Sequence, residues 1–204
     1  MLVFACLSPH PPLILPTVGS PKDRQKVQKT IKSLEKLAPQ LAKSQPQQII
    51  VSSPHPDWGF EVPLHFLGKN LKTPVKPYLT DFASPQVHFQ KGSQIMRSIP
   101  QNKKIAWIAS GDMSHRLKED GPYGFHPAGP QFDQDFIKLL KAKDMPGILN
   151  LPENLVEQAG ECGLRSFCLL LGALEASKVK WQPEILSYEG PFGVGYLVAN
   201  FKFK

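Results

Sequence analysis

Two proline-flanked histidines, each placed directly after a short apolar run, constrain the fold more than any other feature of this chain. The run LVFAC (2–6) leads into SPHPP, which holds His10, and the run IIVS (49–52) leads into SPHPDW, which holds His55. Prolines on both sides of a histidine remove backbone donors and fix φ, so neither segment can continue as a helix or a central strand. The pattern therefore predicts buried strands that end in stiff loops, and α/β proteins place their chemistry in such loops.

The rest of the chain alternates between the hydrophobic periods of strands and helices. Helices are predicted at 21–44, 84–98, 131–144, 154–160 and 162–177, and strands at 2–7, 49–53, 60–67, 103–110 and in the two closing segments WQPEILSYEG and GVGYLVANFKF. The segment 60–67 contains Pro63 and is expected at a sheet edge. No linker-like segment divides residues 1–204, so we expect a single α/β domain with a central mixed, mainly parallel sheet flanked by helices.

The formal net charge of +7 raises the question of nucleic-acid binding. Much of this excess lies on the predicted helix 21–44, where no aromatic residues alternate with the lysines to stack on bases. A solvated helix face explains these lysines, so no nucleic-acid partner is expected. A basic surface would also steer small anionic substrates toward the protein.

Targeting signals and cysteine spacing favour a cytoplasmic protein. No apolar run approaches the roughly 20 residues of a membrane span, and no secretory signal precedes the first strand. The three cysteines Cys6, Cys162 and Cys168 lack CxxC spacing, which argues against a disulfide framework. We expect reduced thiols and no membrane association.

A third histidine also follows a predicted strand, because IAWIASGDMSH places His115 just beyond the strand 103–110. The carboxyl ends of parallel strands share one edge of a sheet, so His10, His55 and His115 are expected to gather where ligands bind. The loop GPYGFHPAG (121–129) follows His115 and is a candidate substrate loop, with Tyr123 and His126 as its candidate contacts.

Neutral imidazoles are good ligands for divalent iron, zinc or copper, but a catalytic site needs a third protein ligand. The candidates are adjacent in AGECGLRS (159–166). Glu161 would complete a two-histidine, one-carboxylate set, which is associated with non-haem Fe(II) oxygenases, although it could instead stabilise the start of the following helix. Cys162 would make a softer site better suited to zinc or copper. The chain has no P-loop, HExxH or GxSxG motif to support a rival chemistry.

Five segments occur in an order that resembles a known family. They are SPHPP, SPHPDW, GDMSHRLKEDGPYGFHPAGPQFD, AGECGLRS and YEGPFGVGYLVA. Together they resemble the class III extradiol ring-cleavage dioxygenases, typified by the catalytic beta subunit of protocatechuate 4,5-dioxygenase. Within this superfamily the chain is most similar to the branch that is often encoded with AMMECR1-type proteins and is related to the Memo proteins.

The resemblance implies a role for each candidate residue. His10 and His55 match iron ligands, Glu161 matches the carboxylate ligand, and His115 matches an acid/base that serves the substrate and bound oxygen. Cys162 matches a cysteine that Memo-type relatives present to metal. The implied activity is Fe(II)-dependent ring cleavage of a small catechol by O2; the alternative is a Memo-like metal-binding protein that acts through partners or in a modification pathway. A homodimer or an AMMECR1-type partner is expected on the same grounds.

Overall fold

A six-stranded sheet organises the protein, whose computed structural model describes residues 1–69 and 71–204. Its strands are β1 (Leu2–Ser8), β2 (Gln48–Ser53), β3 (Val75–Leu79), β4 (Ile105–Ser110), β5 (Trp181–Glu189) and β6 (Tyr196–Phe203). They lie in the order β3-β2-β4-β1-β6-β5. The first four of these run parallel, whereas β6 pairs antiparallel with both β1 and β5. The predicted mixed, mainly parallel sheet is confirmed.

Helices cover both faces of this sheet. Over the described ranges they are α1 (Pro21–Lys26), α2 (Gln28–Ser44), α3 (Trp58–Leu67), α4 (Pro85–Ser98), α5 (Ala128–Ala142), α6 (Met145–Leu149), α7 (Glu153–Ala159) and α8 (Leu164–Ser177). One core layer packs α4, α5 and α8 against the sheet, and the other packs α2 and α3. Among the residues described, no helix combines the length and apolar character that a membrane crossing requires.

The prediction of an edge strand at 60–67 is wrong, because these residues lie within the helix α3. Its buried residues recur at helical rather than alternating spacing, and Pro63 is accommodated inside the helix. The proline-bearing edge strand is instead β3, which the sequence analysis did not find and which contains Pro77. A proline at an edge costs no ladder hydrogen bond when its position faces away from the neighbouring strand.

The predicted helix 21–44 is present as two pieces, with a break at Val27. Its second piece, α2, continues through Pro39 and buries the expected apolar face. The remaining predicted helices begin and end within a few residues of α4, α5, α7 and α8. The helix α2 therefore packs its apolar side against the core and exposes its lysine-bearing side to solvent.

The sheet order brings the functional loops together. Because β2, β4 and β1 are adjacent and parallel, their carboxyl ends lie side by side. The antiparallel strand β6 begins at this same edge, so the turn at 190–195 that joins β5 to β6 also arrives there. The ends of the parallel strands and the turn of the antiparallel pair therefore border one site.

Candidate metal centre

His10 lies two residues beyond β1 and its side chain is held in one orientation. Its backbone N–H donates to Asp112 Oδ1 at 2.9 Å, and its ring Nδ1 lies 3.0 Å from Ser110 Oγ. These contacts leave Nε2 directed toward Cys162 Sγ, at 3.5 Å. Burial, together with a smaller effect of the neighbouring His55, lowers the pKa of His10 to about 3, so the imidazole is neutral and suited to ligation.

His55 follows β2, where its backbone N–H donates to Ser53 Oγ at 3.1 Å. Its ring meets that of His10 edge-on, with 5.2 Å between the centroids. One donor atom from each of His10, His55 and Cys162 lies within 4.8 Å of the other two. Two imidazole nitrogens and a thiol form a donor set suited to one transition-metal ion, so these residues fit the metal that the resemblance implies.

Cys162 stands in the loop before α8. Its Sγ accepts a hydrogen bond from the backbone N–H of Asp112 at 3.3 Å. Burial raises the pKa of the Cys162 thiol well above its usual range, and the Asp112 carboxylate raises it further. A bound cation would reverse this effect, because a thiol deprotonates when it coordinates a metal.

Glu161 is directed away from the two histidines. Its Oε2 accepts a hydrogen bond from the backbone N–H of Leu164 at 2.6 Å, and its Oε1 lies 3.6 Å from Arg165 Nη1. Burial raises the pKa of Glu161 to about 7, against the lowering effect of these two partners. The carboxylate thus stabilises the first turn of α8, the structural role that its position before the helix allowed. Of the two adjacent candidates, Cys162 is the one that faces His10 and His55 in this structure.

A second group of donor atoms adjoins the first and shares Cys162 with it. One donor atom from each of Asp112, His115 and Cys162 lies within 4.8 Å of the others. The His115 backbone N–H donates to Ala159 O at 3.2 Å, whereas its ring Nε2 is buried and has no hydrogen-bond partner in the described part of the chain. Burial lowers the pKa of His115, although Asp112 acts in the opposite direction. A neutral ring with a free, buried nitrogen can take a proton from a ligand.

Sequence reasoning missed Asp112, although the quoted segment GDMSH contains it. Its Oδ2 lies 4.0 Å from His10 Nε2, and its Oδ1 orders the His10 backbone. Burial raises the pKa of Asp112 to about 6 despite that hydrogen bond and the nearby histidines. Its position two residues beyond β4, level with the strand-end histidines, was the signal that could have identified it.

Four of the residues described above line a cleft of about 440 Å³ at the carboxyl edge of the parallel strands: His10, His55, Asp112 and His115. Its apolar walls include Leu13, Trp58, Tyr123, Phe192, Val194 and Tyr196. The Tyr123 ring lies 5.0 Å from the His115 ring, between centroids. His126 is not among the residues that line the cleft; its Nδ1 accepts a hydrogen bond from the Ala128 N–H at the start of α5.

A buried carboxylate, that of Asp133, holds the segment that carries His115 in place. Asp133 of α5 accepts hydrogen bonds from the Ser114 N–H, at 2.8 Å, and from the Tyr188 hydroxyl of β5. The Ser114 hydroxyl donates to Ala159 O at 2.8 Å. Ser114 is therefore a structural residue beside His115, in line with the absence of a serine-hydrolase motif.

Comparison with known proteins agrees with a metal site at this position. The sequence model of the family described as "Catalytic LigB subunit of aromatic ring-opening dioxygenase" matches residues 55–199. The chain belongs to this family. Members of this ring-opening dioxygenase family bind a metal, and this chain presents a histidine, aspartate and cysteine cluster suited to one. The predicted relationship is thereby confirmed.

Two relatives extend the comparison. The chain is 31% identical to "Protein CA_C1420" of Clostridium acetobutylicum over an alignment 267 positions long, which covers 96% of this chain and 56% of that protein. The chain thus spans little more than half the length of this curated relative. Its fold is similar to the crystal structure of the uncharacterized protein JW3007 from Escherichia coli K12, with a TM-score of 0.63 and 14% identity over 97% of this chain and 99% of that one. The chain and that structure share the α/β architecture.

Proposed function

We propose that this protein is a metal-dependent oxidoreductase that opens the ring of a small catecholic substrate with O2, in the extradiol manner. The observation that carries the proposal is that donor atoms of His10, His55 and Cys162 converge beside an aromatic-lined cleft, near His115, whose ring Nε2 has no hydrogen-bond partner among the described residues. A ligand set, an acid/base candidate and a wall for a planar ring therefore occupy one site, as ring opening requires. Membership of the ring-opening dioxygenase family supports the same reaction class.

The metal would be held by the two imidazoles and the Cys162 thiolate. His10 is prepared for this role because Ser110 occupies its Nδ1 and leaves Nε2 free, the usual arrangement of a metal-binding histidine. The family favours Fe(II), whereas a sulfur ligand also suits zinc or copper. A redox-active ion held there would supply electron transfer between the diol and dioxygen.

His115 would handle the protons. Because burial keeps its imidazole neutral, Nε2 can accept a proton from a diol hydroxyl as the substrate binds. The Asp112 carboxylate favours the imidazolium that results. His115 can then return the proton to the oxygen that needs it when the O–O bond breaks. Tyr123 and Trp58, which border the cleft beside the histidines, would help to exclude water during these steps.

A second candidate is a Memo-like metal-binding protein without ring cleavage. One observation favours it: Cys162, rather than the neighbouring Glu161, is grouped with His10 and His55. Such a site would bind zinc or copper tightly and act through partners or in a modification pathway.

The two candidates separate in one experiment. Protein purified without chelator, and protein reconstituted anaerobically with Fe(II), are assayed for metal content and for yellow ring-opened products from a panel of catechols. We expect about one metal ion per chain, loss of most of it in Cys162→Ala, and retention in the matched control Glu161→Gln, which keeps an acceptor for Leu164. Iron-loaded protein that leaves every catechol unchanged, yet binds zinc or copper tightly, would favour the second candidate.

A further inference from the structure

We propose that the cleft selects an uncharged, planar diol whose body extends beyond a single ring, and that Trp58 and Tyr123 are the side chains that contact this extension. The inference rests on the proposed function and specifies its substrate class. It is carried by the exposure of two aromatic rings and by the absence of cationic side chains from the cleft lining.

Trp58 and Tyr123 are both exposed at the cleft, with 41% and 59% of their surfaces accessible. Each flanks a different histidine: the Trp58 ring lies 5.5 Å from that of His55, and the Tyr123 ring lies 5.0 Å from that of His115. Because both rings border the proposed reaction centre, a planar ligand bound there has aromatic surface available beyond the metal-binding diol. Covering these rings removes apolar surface from water and adds ring–ring attraction.

The volume of the cleft also favours a ligand larger than one ring. About 440 Å³ falls in the range of pockets that enclose drug-sized molecules. Phe192 and Val194, from the turn between β5 and β6, continue the apolar wall past the two histidines. A bicyclic diol would use this wall, whereas catechol itself would leave much of it wet.

The lining disfavours a negatively charged substituent. Within the described part of the chain, no lysine or arginine lines the cleft; its ionisable side chains are three histidines, two tyrosines and the acidic Asp112. A carboxylate on a part of the substrate away from the metal-binding diol would lose water without gaining a lysine or arginine partner, and that loss is costly in an apolar wall. A neutral amide of the same shape avoids most of this cost.

The positive charge of the protein acts in the opposite direction, but at longer range. The net charge of +7 attracts anions, and one cation beside this wall is Lys26, whose Nζ lies 5.3 Å from the centre of the Phe192 ring. At physiological salt, exposed charges are screened over about 8 Å. We therefore expect steering by these charges to affect association at low salt, and the cleft lining to decide affinity at physiological salt.

The charge preference is tested with a matched pair, 3,4-dihydroxybenzamide and 3,4-dihydroxybenzoate. Binding is measured under anaerobic conditions, so that no turnover occurs, by calorimetry and by quenching of tryptophan fluorescence at physiological salt. Trp58→Phe identifies the part of the signal that comes from Trp58, since Trp107 and Trp181 are buried. We expect the amide to bind about tenfold more tightly. Equal binding, or tighter binding of the benzoate, would overturn the charge preference.

The size preference is tested with naphthalene-2,3-diol against catechol. The larger diol is expected to bind about three- to tenfold more tightly, in line with one aromatic contact. Trp58→Ala and Tyr123→Ala should reduce this advantage, while Phe82→Ala, which removes a ring that is 97% exposed and lies outside this cleft, should not. An advantage that survives both cleft variants, or that never appears in the wild type, would overturn the role of the two rings.

The same measurements distinguish this inference from the proposed function. Each titration is repeated with and without a chelator, because contacts to Trp58 and Tyr123 do not require the metal. If the amide and the bicyclic diol are preferred but no diol is ever opened, the substrate class stands and the reaction fails. If diols are opened but the benzoate is the best of them, the reaction stands and this inference is overturned.

Discussion

The parallel and antiparallel halves of the sheet contribute differently to the same cleft. The parallel strands β1, β2 and β4 lead into His10, His55 and the segment that carries Asp112 and His115. This half therefore supplies the groups that can exchange protons or hold a metal, except Cys162, which comes from the loop before α8. The antiparallel pair β5 and β6 supplies wall and support, through Phe192, Val194 and Tyr196 at the cleft and Tyr188 beneath it. The two halves can therefore be varied separately: changes on the parallel side should alter chemistry, and changes on the antiparallel side should alter affinity and stability.

The largest expected effect is on the parallel side, in His115→Ala. Loss of an acid/base group typically lowers a rate by about 10²- to 10⁴-fold. We expect turnover of the preferred diol to fall by this factor, while metal content stays at the wild-type level because His115 is not one of the three proposed ligands. Turnover assays paired with elemental analysis test this, and His126→Ala, which changes a histidine outside the cleft, is the control. Metal loss together with activity would place His115 among the ligands instead.

The next largest effect is expected for Gly111→Ala, which should lower stability where the segment that carries His115 contacts the loop that carries Cys162. A Cβ at Gly111 would lie 2.2 Å from Gly163 Cα, so a methyl group does not fit between the two backbone segments unless they move apart. We expect a loss of about 3 kcal/mol in the free energy of unfolding, measured by urea titration. Gly124→Ala is the comparison, because its Cβ meets open space and its cost, of about 1 kcal/mol, comes only from its positive φ of 70°. Equal costs for the two variants would show that the close approach is not limiting.

A smaller effect is expected where the two halves are joined, at Asp133. Burial raises the pKa of this carboxyl to about 6, above the unfolded value of about 3.9. The folded state therefore holds the proton more tightly, and this contribution to stability is present below about pH 4 and lost as the pH rises through 6. Asp133→Asn should remove up to roughly 3 kcal/mol of the fall in unfolding free energy between pH 4 and pH 7.

Urea titrations across this pH range test the prediction for Asp133. Asp135→Asn, on the same helix, is the control, and it should preserve the wild-type dependence. A wild-type pH dependence in Asp133→Asn would assign the titration to other buried carboxyls, such as Asp112 and Glu161.

The smallest expected effect is on the antiparallel wall, in Phe192→Ala. Because Phe192 lines the cleft without reaching the reacting groups, its loss should raise KM for the preferred diol about threefold and leave kcat unchanged. Steady-state kinetics tests this, with Phe82→Ala as the control. A fall in kcat without a change in KM would show that the antiparallel side also takes part in the chemistry.

The strand-end histidines were predictable because local patterns determine them. A buried apolar run followed by Ser-Pro-His-Pro needs no tertiary knowledge to be recognised as a strand and its loop, and parallel pairing then brings the ends together. The strand predicted at 60–67 was wrong because a short apolar run does not by itself distinguish a strand from a buried segment of helix. This segment is not one of the three strands β1, β2 and β4 that lead into the site. The prediction that the carboxyl ends of those strands meet was therefore unaffected.

The third ligand could not be decided from the sequence, because Glu161 and Cys162 are adjacent and both suit metals. The choice depends on which side chain turns toward the Leu164 N–H, and only the path of the loop determines that. The support beneath His115 was also beyond reach, since Ser114, Asp133 and Tyr188 are far apart in the chain and carry no spacing that links them.

The cluster of His10, His55 and Cys162 also bears on how the chain is held together. Cys162 lies 152 residues from His10 along the chain, so an ion shared by these side chains would cross-link the first loop of the protein to the start of its core helix. A ligand that binds only the folded state adds its binding free energy to the free energy of unfolding. The centre would then act as a removable staple, and chelation should lower the melting temperature of the whole domain as well as its activity.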